Sequence, residues 1–166
     1  MDMAELIKKR RSVREFADKP LPREALEKIV DAARFSPTAR NVQPWEFVVV
    51  TGRQLLKEIA GITEHGKFIA AAGGCILVFS ADTKYFLEDC SAATQSAMLA
   101  AEALGIASCW VAGDKKDYAK ELNRLLGVPD NFKLVSLIAL GYPLTDRVFR
   151  TVEKRALKDV LHWEKF

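Results

Sequence analysis

Two histidines and three cysteines are all that this chain of 166 residues carries of the commonest metal-binding and thiol side chains. His65 and His162 are far apart and neither belongs to an H-x-x-x-H pair, which argues against a metal centre. Cys75, Cys90 and Cys109 are widely spaced and form no C-x-x-C motif. They read as buried structural thiols of a reducing cytosol, not as a disulfide framework. No G-x-G-x-x-G follows a strand, and neither a Walker loop nor a G-x-S-x-G elbow is present. Charge of one sign is scarce as well: 25 basic against 22 acidic residues leave a net charge of +3, too little for a dedicated nucleic-acid binder. No apolar run is long enough to cross a bilayer, and the start is charged from Asp2 onward, unlike a signal peptide. A single soluble, cytoplasmic domain over 1–166 is expected, with no catalytic residue or metal ligand to name. Any chemistry would then come from a reactive cofactor.

What is present is concentrated near the start. Lys8-Lys9-Arg10-Arg11-Ser12-Val13-Arg14 packs five cations and a hydroxyl into seven residues. Arginine's planar fork of donors suits phosphate oxygens, and Ser12 adds a short donor. If the segment is extended, Arg10, Ser12 and Arg14 point one way while Arg11 and Val13 face elsewhere. Lys154-Arg155 supplies a second cationic pair that could close on the same phosphate. Between them, Asn41-Val42-Gln43-Pro44-Trp45 offers two amides able to donate and accept along the polar edge of a planar heterocycle.

The spacing of apolar residues predicts a short helix from Asp2, its N-cap, to about Arg11, with Glu5 reaching back. A second helix runs from Pro22 to Ser36-Pro37. Strands follow at Trp45–Val50, Cys75–Phe79, Ala107–Val111 and Leu134–Leu140, with helices near Gln54–Ala60, Lys84–Leu104 and Lys116–Leu126. This is an α+β arrangement, one sheet of four or five strands with helices packed against it. Ser91 to Ala101 carries no charge and mostly small side chains, which suggests a helix–helix dimer interface with Ala97 in it. The tail from Val148 to Phe166 ends in large apolar groups that would cover a partner subunit.

Five of these segments, in this order, resemble the nitroreductase family of FMN-dependent oxidoreductases. They are Arg10 to Phe16, Ser36 to Trp45, Gly105 to Trp110, Gly141-Tyr142-Pro143, and the His162-Trp163-Glu164 tail. The resemblance implies a nitroreductase-like fold with a mainly antiparallel sheet, and a homodimer carrying two FMN molecules at its interface. The tail would extend onto the partner subunit. Arg10, Ser12 and Arg14, with Arg11 in the same run, would hold the phosphate, the ribityl chain and the pyrimidine edge. Lys154 and Arg155 would complete the phosphate grip. Pro37, Thr38, Ala39 and Asn41 would reach the flavin from the other subunit. Trp110-Val111-Ala112-Gly113 would lie against the ring, with the N–H groups of Ala112 and Gly113 near its reactive nitrogen.

The reaction so implied passes a hydride from NAD(P)H through the flavin to a nitroaromatic, quinone or similar small acceptor. A non-catalytic flavin-binding protein, or a specialised dehalogenating or flavin-destroying enzyme, is the alternative. Partners would be a second copy and a small molecule, with neither nucleic acid nor membrane. The chain departs from the family in its short length and in Ala39-Arg40, where a small polar pair is frequent. The stretch Gly61 to Gly74 aligns with no family motif, and Lys67 is a further flavin-contact candidate there.

Overall fold

The computed structural model describes residues 2–144 and 152–166. Four strands form one antiparallel sheet in the order β1-β2-β4-β3: β1 (Trp45–Val50), β2 (Gly74–Ala81), β3 (Ala107–Ala112) and β4 (Phe132–Gly141). Around it lie α1 (Met3–Lys9), α2 (Arg23–Ala33), α3 (Arg53–Ile62), α4 (Phe86–Ala103) and α5 (Ala119–Leu126). The expected α+β arrangement holds, with four strands among the described residues.

β2 reads as an unbroken apolar run because both of its faces are covered. Cys75, Leu77 and Phe79 enter one core with Leu56 and Ile59 of α3 and Leu122 of α5. Ile76 and Val78 enter the other, with Ile29 of α2 and Ala93, Ala97 and Met98 of α4. On β4 the alternation slips at a bulge, where the register with β2 jumps from Val78↔Ser136 to Phe79↔Leu134. The extra residue, Val135, is turned into the α2/α4 core, and its carbonyl accepts the N–H groups of Gly113 (3.0 Å) and Asp114 (3.1 Å).

Helix limits follow local chemistry. Asp2 caps α1 by accepting the Ala4 N–H, but Glu5 pairs with Lys8 at 3.0 Å instead of reaching back. α5 begins at Ala119, later than the spacing suggests, because Gly113 to Tyr118 is spent on a turn with Lys115 at φ 56°. It ends at Gly127 (φ 67°), which lets the Val128 N–H reach the Asn123 carbonyl at 2.9 Å. The stretch 61–74 contains a 3₁₀ turn, Lys67–Ala71, plugged into the core by Ile69.

α4 corrects one expectation. Ala97 does not face outward: it is fully buried within this chain, beneath the sheet, with Cys90, Ala93, Met98 and Ala101. Small side chains here let the helix lie close to the strands and to α2. The half-exposed face of α4 instead carries Ser91, Ala92, Gln95, Ser96, Leu99 and Ala100. Of the tail, Val148 to Thr151 lies outside the described residues. The remainder leaves Leu157, Trp163 and Phe166 exposed, Trp163 to 79%.

Ala97→Trp is therefore expected to overpack the protomer core and cost about 3 kcal/mol of stability, read as a lowered urea midpoint. A folded variant with an unchanged midpoint would place Ala97 at a surface.

Candidate functional site

The site is built where the chain leaves α1. From Arg10 the backbone runs extended, and Ser12 forms a parallel bridge to Ser108 at the open edge of β3, with the Val13 N–H on the Ser108 carbonyl at 3.0 Å. Further on, Phe16 bridges to Pro143, and the Ala17 N–H reaches the Tyr142 carbonyl at 2.8 Å. Gly141 is required there, since a Cβ would lie 2.7 Å from the Phe16 ring. Thus the segment is stitched to β3 and to the residues that follow β4.

The stitching opens a cavity of about 790 Å³ lined by Ile7, Lys8, Arg10, Arg11, Ser12, Arg14, Gln95, Val152 and Lys154. Five of these nine are cations and none is a carboxylate. Arg10 Nη1 and Arg11 Nε are buried donors without partners. An orphaned charged donor is costly, so this donor set fits an anion with several oxygens, as a phosphate monoester has. Val13 turns away into the α3/α5 core, as alternation requires. Arg11 does not turn away: its guanidinium folds back to the carbonyls of Lys8 and Arg10, the latter at 2.9 Å, and lines the cavity. Arg14 also lies over the Phe68 ring, 5.8 Å from its centre.

Other expected residues fall elsewhere. Arg155 is absent from this lining and donates to the Asp159 carbonyl. Lys67 donates to the Gly61 carbonyl at 2.9 Å and likewise stays out of the lining. Val111 is buried in the core, and Ala112 is exposed at the end of β3. Of the two N–H groups expected near the ring's reactive nitrogen, that of Gly113 donates to the Val135 carbonyl at 3.0 Å.

Pro37, Thr38, Ala39 and Asn41 occupy a separate loop after α2 and do not line this cavity. Arg40 (φ 55°), Asn41 (φ 56°) and Gln43 (φ 50°) are all left-handed, a strain of order 1 kcal/mol each. The loop is held by the Ala39 N–H on Asp89 Oδ1 (3.1 Å) and the Gln43 N–H on Thr38 Oγ1 (3.2 Å). Gln43 Nε2 donates to Asn41 Oδ1 (3.2 Å), so the two amides engage each other.

Gln95 was not singled out by sequence reasoning. Its signal was there: it is the one long amide side chain in the uncharged run Ser91 to Ala101.

The thiols stand apart from this chemistry. Burial pushes Cys75 from 9.0 up to about 12 and Cys90 from 9.0 up to about 11. Burial raises Cys109 too, while Arg14, Ser12 and Arg10 pull the other way. Among the described residues no group of three or more His, Cys, Asp or Glu side chains could hold a metal. No helix among them is long and apolar enough to cross a membrane.

With this geometry in place, comparison with known proteins is direct. The chain belongs to the nitroreductase family, whose model matches residues 7–72 and 63–142. Two similar proteins share the name "Putative NADH dehydrogenase/NAD(P)H nitroreductase". The one from Archaeoglobus fulgidus is 37% identical over 97% of this chain and 97% of its own. The crystal structure of the one from Bacteroides thetaiotaomicron superposes with a TM-score of 0.91 at 29% identity, covering 99% of this chain and 98% of that one. An FMN-dependent nitroreductase of Clostridium difficile gives a TM-score of 0.87 at 27% identity, covering 97% and 98%.

Native protein is expected to resist Ellman's reagent at all three thiols and to react fully once unfolded. Rapid labelling of Cys109 in the folded state would contradict its burial. Because these thiols stay protonated in the fold while unfolded thiols ionise, the unfolded chain binds fewer protons at high pH. Stability should decline as pH rises from 9.0 toward about 12, the span of the Cys75 displacement.

Proposed function

We propose that this chain is an FMN-dependent NAD(P)H oxidoreductase acting as a homodimer. The observation that carries the reading is the cationic cavity, with no carboxylate among its described lining residues and with two orphaned, buried guanidinium donors. A flavin mononucleotide supplies the one group such donors lack, a dianionic phosphate, and brings a ring that accepts hydride and returns electrons. The names of the Archaeoglobus, Bacteroides and Clostridium relatives favour the same chemistry.

In this account Arg10, Arg11 and Lys154 hold the phosphate, with Arg155 brought to it when the cavity is filled. Ser12 donates beside them. Arg14, steadied on Phe68, is placed to meet the more distal polar edge of the cofactor. The cations also favour the anionic reduced form of the ring, a preorganised electrostatic role that needs no catalytic acid. Ala112, at the exposed end of β3, is the group of that turn left to approach the ring.

Three features support a second copy. The strained loop bearing Pro37, Thr38, Ala39 and Asn41 is rigidly shaped yet lies outside its own protomer's cavity, so it would serve the partner's. The tail exposes Leu157, Trp163 and Phe166. Between Ser91 and Ala100 the half-exposed face of α4 carries no charge. Three unpaired, buried cysteines suit a reducing compartment, the cytoplasm. The acceptor is a small oxidised molecule of the nitroaromatic or quinone type.

Fluorescence titration of the apoprotein with FMN tests the cavity. Wild type should bind and quench the flavin, and Arg10→Ala should weaken binding about a hundredfold, the cost of leaving a buried charge unpaired. Full affinity in the variant would remove the phosphate from this cavity. Truncation after Val160 should shift the dimer toward monomer on light scattering; an unaltered dimer would separate the tail from the interface.

A further inference from the structure

We propose that Gln95 is a specificity-determining residue of the cationic cavity, accepting hydrogen bonds from hydroxyl groups next to the ligand's phosphate. The inference rests on the cofactor reading above and deepens it. Lysine and arginine carry only donors. Of the nine described residues lining the cavity, Ile7 and Val152 are apolar and five are cations. Only Ser12 and Gln95 have side-chain atoms that can accept. A bare phosphate needs no acceptor from its site. A phosphate ester on a polyol chain does, because each buried hydroxyl left without one is penalised.

Gln95 is built for that task. The buried face of α4 carries Cys90, Ala93, Thr94, Ala97, Met98 and Ala101, and Gln95 sits just off it, half-buried. α1 packs against α4, so the segment that follows α1 is led past this side chain. One turn away along α4, Ser91 and Leu99 could not replace it, the first too short and the second without a polar atom. Its amide makes no hydrogen bond to any described residue, in contrast to Thr94, whose hydroxyl is used on the Cys90 carbonyl and Ser136, both at 2.7 Å. An amide held half-buried among donors, and free, is poised to accept.

Two ligands separate hydroxyl recognition from phosphate binding: FMN, and methyl phosphate at mildly alkaline pH, a dianion with no O–H. FMN affinity is read from fluorescence quenching, and methyl phosphate from its competition with FMN. Gln95→Met should weaken FMN about tenfold while leaving unchanged the methyl phosphate dissociation constant extracted from the competition with the variant's own FMN affinity. Gln95→Ala, a better helix former still, should do the same and guards against misfolding of the first variant. Unchanged FMN affinity in both variants would overturn the assignment, as would an equal loss for both ligands. Failure of wild type to bind FMN would instead overturn the cofactor reading and this inference with it.

Discussion

One backbone contact organises the site. Ser12 pairs with Ser108 at the free edge of β3, and this bridge converts a string of cations into an aligned set. A free chain would let neighbouring positive charges splay apart. Pinned beside β3, which is itself paired with the deeply buried β4, the segment from Arg10 to Arg14 is held in one course. The cost of concentrating them is borne by the rest of the fold: a sheet covered on both faces, and Gly141 yielding space to Phe16 so that the segment stays attached beyond the bridge. Their mutual repulsion and orphaned donors are what an anionic ligand would relieve.

The two cores explain why this platform is stiff. β2 and β4 are buried from both sides, and the bulge at Val135 lets one strand satisfy both layers. That same bulge captures the N–H groups of Gly113 and Asp114, tying the end of β3 to its neighbour. The turn after β3 is therefore a fixed wall. The loop around Arg40 is equally fixed, through Asp89 and Thr38, despite its left-handed backbone. Its strain is held by these hydrogen bonds, away from the cationic cavity.

Much of this was legible in the chain. The alternation of Arg10, Ser12 and Arg14 and the inward turn of Val13 follow from strand geometry alone. So do the places of the four strands, although a sheet of four or five was expected. What stayed hidden depended on tertiary partners. Composition marks α4 as small-sided but cannot say whether Ala97 meets a sheet or a second subunit. Alternation sends Arg11 away, yet a long guanidinium can curl back to the carbonyls of its own helix end. The late start of α5 depends on a left-handed Lys115, which no propensity announces. Gln95 stands out in the chain as the one long amide of an uncharged run, but only the packing of α1 on α4 places it beside the cations.

The central claim is that the cationic cavity holds a flavin able to take electrons from a nicotinamide. The most direct test is the visible spectrum of FMN-reconstituted protein titrated anaerobically with NADH and then NADPH. The account predicts a bound flavin band that bleaches on addition of at least one nucleotide and returns when a quinone is admitted. A bound flavin that neither nucleotide bleaches would contradict it and leave a protein that carries flavin without using it.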